Sequence, residues 1–403
     1  MVPFRNEETF RVFNTVFSFS GVRLYNIPNS FIYTILVIFV NFCSCSTALA
    51  LVVNIYVNLN NLDKAVDSIY ALPPIALAFW IQVYLRFRRD KLVRLLSFAD
   101  CFVWEDLPPK DPVTGNTGMA VWIRRIRTTA VRVTILGPGI HFLQIITQMF
   151  IKEERFLNLD AWYPYDWTKS PAYELTILTQ VIGVLGYSSI VYVFPPLYAT
   201  LVVIACSQLE KMRIALSNIK QQHIAAPNDE QWQLRASDDV FTRMEGQMNK
   251  CIRLHQEIIR FTMELEENFS TLFVGVFLIL MLSLCFSTFS AVLRWGNAVN
   301  VSQSVESYCI YLIFIFLFCW FPSELTDQGE RVRDAAWSCD WIGAPVSFQR
   351  SLSLVIASAN KQFILTAGKC VPVSKQTMLN MIQESISLFM FLIQVRGEDE
   401  SEE

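Results

Sequence analysis

Charge is scarce in this 403-residue chain: Asp, Glu, Lys and Arg together make up 17% of it, against about 25% in an ordinary soluble domain. Histidine is scarcer still. The three present, His141, His223 and His255, form no HExxH pair and no spaced ligand cluster, and GxSxG, P-loop and Rossmann fingerprints are missing as well. The sequence therefore reads as a non-enzyme with no cofactor and no metal. A net charge of −3, from 33 basic and 36 acidic residues, lacks the cationic field that nucleic acid demands. The 10 cysteines fall within apolar runs or on loops assigned below to a reducing compartment, so they read as packing residues rather than a disulfide framework.

Apolar residues fill the space that charge leaves. The chain is 53% hydrophobic, with 31 Phe, 13 Tyr and 10 Trp, and the excess is gathered into blocks longer than the roughly 18 residues that cross a bilayer. Those blocks predict seven transmembrane helices in an all-α membrane protein. They run from Ser30 to Tyr56, Asp63 to Tyr84, Thr128 to Phe150, Tyr173 to Ser207, Asn268 to Leu293, Ser304 to Phe321 and Val371 to Val395. The first 29 residues carry Arg5, Arg11 and Arg23 without the apolar centre and cleavage site of a signal peptide, so the amino terminus is expected to stay inside.

Orientation then follows from the positive-inside rule. With an inside amino terminus, 26 of the 33 Lys and Arg fall on that terminus, on the three long loops of the same side and, at Lys375, on the inner end of the last span, including the tracts RFRRDK and RRIR. The carboxyl terminus is outside. The expected organisation is a cytosolic segment over 1–29, four spans over 30–207 and cytosolic helical extensions over 208–267 around the polar break QQHIAAPNDEQ. The fifth and sixth spans follow over 268–321, a cytosolic helical anchor segment over 322–370, the last span over 371–395 and an acidic extracellular tail over 396–403. The stretch LSLVIASANKQFIL is too punctuated by Asn360, Lys361 and Gln362 to make a further span. Of two glycosylation sequons, at Asn268 and Asn300, only Asn300 falls on an outside loop.

The run SELTDQGERVRDAAWSCDWIGAPVSFQRSLSLVIASANKQFILTAGKCVPVSKQTMLNMIQESISLFMFL resembles the carboxyl-terminal signature of insect odorant receptors. In that family an E-L-T opening, an A-x-Y-x-x-D-W block, a G-K turn and a channel helix follow in this order. YPYDWTKSPAYELTILTQ is similar to the family's second extracellular loop. Trp337 replaces the usual Tyr, and Ile386 stands where the common S-Y-S-x-F motif has Tyr.

The resemblance implies a ligand-gated, non-selective cation channel of four subunits around one pore, passing monovalent and divalent cations. It also implies a place in the lipid of the plasma membrane of sensory neurons. At this length the chain looks like a ligand-tuned subunit, working as a heterotetramer with the odorant co-receptor. A gustatory receptor of the same superfamily is the nearest alternative, but it would carry a T-Y-x5-Q-F type motif. A G-protein-coupled receptor would need N-P-x-x-Y and the opposite charge bias, and a transporter would show a repeat of broken helices.

Within the last span, Glu384, Ser387, Phe391 and Gln394 recur at spacings of 3, 4 and 3 and share one helical face. Such a stripe in a membrane points to a water-filled pore or to packing on a neighbouring helix; the resemblance puts the gate at Phe391. The outer halves of four spans supply candidate contacts for a small apolar volatile. These are Tyr70, Pro73 and Leu77; His141, Gln144, Ile145 and Gln148; Thr176, Gln180 and Tyr187; and Tyr308 and Tyr311. Tyr308 and Tyr311, one turn apart, resemble the family's aromatic wall, while His141 is either a ligand contact or a satisfied intramembrane polar group. Trp337 and Trp341 are expected to pack the cytosolic anchor.

Overall fold

The structure, a computed structural model, describes residues 7–22, 31–59, 62–112, 115–151, 155–219, 230–293, 298–361 and 363–402. In chain order these form α1 (Glu7–Phe19), α2 (Phe31–Val57), α3 (Leu62–Phe87), α4 (Arg89–Cys101), α5 (Met119–Ile151), α6 (Ala172–Ser217), α7 (Glu230–Leu293) and α8 (Ala298–Trp337). They continue with α9 (Val346–Ala359), the strands β1 (Thr366–Ala367) and β2 (Val371–Pro372), and α10 (Lys375–Glu402). The architecture is all-helical around one small antiparallel hairpin.

Among the described residues five helices are long and apolar enough to cross a membrane: α2, α3, α6, α7 and α8. The sequence predicts two more, on α5 and α10, which do not join this set. Much of the apolar half of α5 carries side chains outside the described residues, and α10 is diluted by Glu384 and by its acidic end. The last helix also begins later than expected. Val371 and Pro372 are taken into β2, so α10 starts at Lys375, and it runs to Glu402, so residues assigned to a separate acidic tail continue the helix.

α6, α7 and α8 contain 46, 64 and 40 residues. At 1.5 Å per residue α7 is about 96 Å long, some three times the hydrocarbon thickness of a bilayer. All three are longer than a single crossing requires. α9 has only 14 residues, too few for a crossing.

α6 is the axis of the bundle and is buried along most of its length. Around it an aromatic core closes: Tyr198 packs edge-on against Phe273 at 4.6 Å and Phe269 at 5.4 Å, and Phe318 meets Phe273 at 5.3 Å and Phe194 at 5.8 Å. α2 is peripheral and presents Phe31, Ile38, Phe42 and Leu49 outward, as a lipid-facing helix does. α1 is amphipathic, with Phe10, Phe13 and Phe17 fully buried on one side.

Candidate functional site

Four tyrosines from three helices converge towards the end of the bundle that carries the 155–171 loop. Tyr311 of α8 is 5% exposed and lies within electrostatic reach of Tyr70 of α3 and of Tyr187 and Tyr192 of α6. The Tyr70 hydroxyl donates to the Gln303 carbonyl at 3.0 Å and shares a short hydrogen bond with Ser307. Leu77, about two turns along α3, is 1% exposed, and Pro73 is buried beside it. Tyr70, Pro73, Leu77, Tyr187 and Tyr311 are thus brought to one region. Tyr192 joins them although the sequence did not single it out; inside an unbroken apolar run nothing sets it apart. His141, Gln144, Ile145 and Gln148 lie on the part of α5 whose side chains fall outside the described residues, as does the side chain of Asn300.

Thr176 and Gln180 have a different employment. Gln180 is fully buried; its Oε1 accepts the Leu159 N–H at 3.1 Å, and its Nε2 donates to the Leu159 carbonyl at 2.9 Å and the Tyr163 hydroxyl at 3.0 Å. The Thr176 hydroxyl pairs with Tyr165 at 2.8 Å. Both hold the 155–171 loop onto the helix ends. Asn54 and Ser68 complete the fastening by donating to the Asp160 carbonyl, at 3.3 and 2.5 Å. The loop also staples itself: the Thr168 hydroxyl, Lys169 and the Thr168 N–H, in that order, hold the Asp166 carboxyl down at a pKa of about 2. Polar side chains at the end of a span thus serve the loop before any ligand.

The last helix is seated by the signature residues. Gly368 and Lys369 both take positive φ, 63° and 61°, which turns the β1–β2 hairpin back on itself. A Cβ on Gly368 would sit 2.6 Å from Val274 Cγ2, so this close approach requires glycine. The hairpin is bolted to α7: the Gly368 N–H donates to the Ser270 carbonyl at 2.8 Å, the Lys369 N–H to Ser270 Oγ at 3.1 Å and the Thr366 N–H to Glu266 Oε2 at 2.8 Å. α10 is then bolted to α8. The Lys375 N–H donates to Ser323 Oγ at 2.8 Å, and its ammonium bridges to Asp327 at 3.1 Å and stands over the Trp320 ring at 4.6 Å. Thr326, of the E-L-T opening, donates to the Phe363 carbonyl at 2.7 Å.

Further along α10, Ser385 is fully buried against α8. Its hydroxyl donates to the Ile382 carbonyl at 2.8 Å, and the Tyr308 hydroxyl donates to Ser385 Oγ at 2.8 Å. One predicted ligand contact is therefore bonded to the predicted pore helix, through a serine that the stripe does not include. Glu384, Ser387, Phe391 and Gln394 are exposed, turned away from the chain's own bundle.

At the opposite end, a loop before α5 is pinned to α6 by an ion pair that no sequence pattern announces. Arg213 meets Asp111 at 2.5 Å, with side-chain exposures of 4% and 5%. One turn back, Glu210 accepts the Met119 N–H that opens α5, at 2.8 Å. Of the two expected anchor tryptophans, Trp341 packs against the core, while Trp337 is 65% exposed, with the rings 6.1 Å apart. Asn268, the other sequon asparagine, is 3% exposed and donates to the Glu264 carbonyl, so the folded chain does not offer it for glycosylation.

Residues 61–386 match the family model described as the 7tm odorant receptor. Among individual proteins, the chain is similar to putative odorant receptor 19b of Drosophila melanogaster, with 24% identity over 247 residues, or 60% of this chain and 59% of that one. It also resembles odorant receptor Or2 of Anopheles gambiae, at 20% identity over 56% of this chain and 57% of that one. These alignments thus span about three-fifths of each relative. A shorter stretch of 102 residues is 28% identical to the odorant receptor coreceptor of Aedes aegypti, covering 25% of this chain and 21% of that one. Among solved structures, the olfactory receptor OR5 of Machilis hrabei in complex with eugenol has the same fold, with a TM-score of 0.71 over 97% of this chain and 98% of that one at 14% identity.

Proposed function

We propose that this chain, which belongs to the insect odorant receptor family, is the ligand-tuned subunit of an odorant-gated, non-selective cation channel. This is a receptor family and not an enzyme family. The subunit works as a heterotetramer with the family's co-receptor in the plasma membrane of sensory neurons. α5 and α10 supply the third and seventh crossings, and the amino terminus is cytosolic. The family match supports the odorant reading over the gustatory and G-protein-coupled alternatives.

The observation that carries the proposal is the Tyr308–Ser385 hydrogen bond, which joins the aromatic wall to the last helix at 2.8 Å. A small apolar volatile lodges among Tyr70, Leu77, Tyr187, Tyr192, Tyr308 and Tyr311, together with the α5 face that carries His141, Gln144, Ile145 and Gln148. Solution of the OR5 fold relative with eugenol supports a small organic ligand. Ligand packing moves the Tyr308 ring, and Ser385, fully buried and bonded to it, moves with it. Glu384, Ser387, Phe391 and Gln394 line the conduction path, and Phe391 narrows it by dewetting. A ligand favouring the open arrangement by about 1.4 kcal/mol shifts the equilibrium tenfold per site.

Replacing Tyr308→Phe and Ser385→Ala, singly and together, tests the link. Concentration–response curves in cells expressing this chain with the co-receptor should show each single change moving the midpoint. The double variant should be no worse than the worse single one, a coupling of about 0.5–1.5 kcal/mol. Strictly additive effects would remove this bond from gating.

A further inference from the structure

Along α3 and α4 one outward-facing stripe changes its chemistry part-way. Ala76, Trp80, Val83, Phe87, Lys91 and Arg94 recur at spacings of 4, 3, 4, 4 and 3, and all are exposed. The backbone carries the stripe across the break between the two helices, since the Arg88 N–H still donates to the Tyr84 carbonyl and the Leu92 N–H to that of Arg88, both at 3.0 Å. Up to Phe87, itself 88% exposed, the stripe is apolar. Beyond it the stripe is cationic. The opposite face, with Leu85, Leu92, Leu95 and Leu96, is buried in the bundle.

Neighbouring α7 fixes where the change falls. Charge is absent from α3 between Ser68 and Leu85 and from α7 between Asn268 and Leu293. The two charge-free stretches end side by side: the Tyr84 hydroxyl donates to the Asn268 carbonyl at 3.0 Å, and Arg88 Nη1 to the Glu267 carbonyl at 3.1 Å. Phe87 therefore stands at the edge of the hydrocarbon. Lys91 and Arg94 lie about 6 and 10 Å further along the axis, within side-chain reach of a headgroup layer about 5–8 Å deep. Arg86, Lys91 and Arg94 have no ion pair among the described residues. Asp90 is the one acid between Arg86 and Arg94, against five basic residues. Positive charge that only orients a span needs no particular face. Here it continues the lipid-facing stripe, where the group it meets is a phosphate.

We propose that the basic face at the junction of α3 and α4 binds the headgroup of an anionic phospholipid, with Phe87 against the acyl chains and Arg86, Lys91 and Arg94 on the headgroup oxygens. Basic clusters next to a span favour acidic lipid by about fivefold per residue. The binding rests only on α3 as a membrane helix; that the lipid belongs to the cytosolic leaflet rests on the orientation proposed above. Trp80, Tyr84 and Arg88 tie this end of α3 to α7, so a bound headgroup sets the depth of both helices together.

For the test, the full chain is reconstituted in phosphatidylcholine bilayers with a trace of spin-labelled phosphatidylserine or spin-labelled phosphatidylcholine. Electron spin resonance then gives the fraction of each label held at the protein surface. The expected result is a preference for phosphatidylserine of about twofold or more at about 0.1 M salt, falling towards one at about 1 M as the charges are screened. Lys91→Ala with Arg94→Ala should remove most of it, and Lys91→Glu with Arg94→Glu should turn it into exclusion. Lys91→Arg with Arg94→Lys should keep it. Lys250→Ala with Arg253→Ala makes the same loss of charge on exposed α7 residues about 22–27 Å from Asn268, and should leave the preference as in the parent. No preference in the parent, or one that the Lys250 and Arg253 change lowers as much as the Lys91 and Arg94 change, overturns the proposal. So does cancellation by millimolar inorganic phosphate, which would assign the face to a soluble anion.

Discussion

Arg213 and Asp111 meet deep in the protein, and neither can turn to water if the other is lost. Removing one partner of such a pair leaves a buried charge, at a cost of about 3–5 kcal/mol. Arg213→Ala is therefore expected to lower the melting temperature of the detergent-solubilised protein sharply. The double change Asp111→Leu with Arg213→Met, which removes both charges, should recover most of the loss. Nothing in the sequence marks this pair. Asp111 stands in a polar loop, and Arg213 is one more basic residue counted for orientation. Tyr308 and Tyr311 were singled out by their place at the start of a span and by resemblance to an aromatic wall; Ser385, which the Tyr308 hydroxyl bonds, lies off the polar stripe and looks like any small helix residue. Thr176 and Gln180 were legible as polar groups near a span end, but their employment by the 155–171 loop depends on a fold-back of that loop that no local pattern announces.

At the scale of elements, the hairpin and α10 form a single joint. Gly368 takes a left-handed conformation and has no room for a Cβ beside Val274. Gly368→Ala is expected to cost about 1–3 kcal/mol and to loosen the seat of α10. The measurement is amide hydrogen exchange, with protection lost first around 363–376 while the α6 core keeps its own. Unchanged protection there would mean that the hairpin does not hold the helix. The long apolar helices α2, α3, α6, α7 and α8 were readable from hydropathy alone. The start of α10 was misplaced because Val371 and Pro372 look like span residues in one dimension, and their pairing with β1 depends on contacts with α7. α9, followed by the polar Asn360 and Lys361, has only 14 residues, fewer than a crossing needs.

For the whole molecule, scarcity of charge and the gathering of apolar residues into blocks pointed to a membrane protein, and five described helices are long and apolar enough to cross a bilayer. The family and its fold came from the carboxyl-terminal signature and from the match over residues 61–386. Glu384, Ser387, Phe391 and Gln394 face away from their own bundle, as a stripe lining a shared pore would. Glu384→Lys should reduce divalent cation permeability relative to monovalent and change block by large cations, read as a shift in reversal potential; an unchanged potential would take Glu384 out of the conduction path. The central claim, that this chain makes a volatile open a cation channel together with a partner subunit, is tested most directly by whole-cell recording. Cells expressing the chain with the odorant co-receptor, the chain alone and the co-receptor alone are exposed to a panel of volatile esters, terpenoids, alcohols and aldehydes. If that claim holds, at least one volatile evokes a non-selective cation current only when both chains are present. A current that ignores every volatile, or one evoked equally by the co-receptor alone, would contradict it.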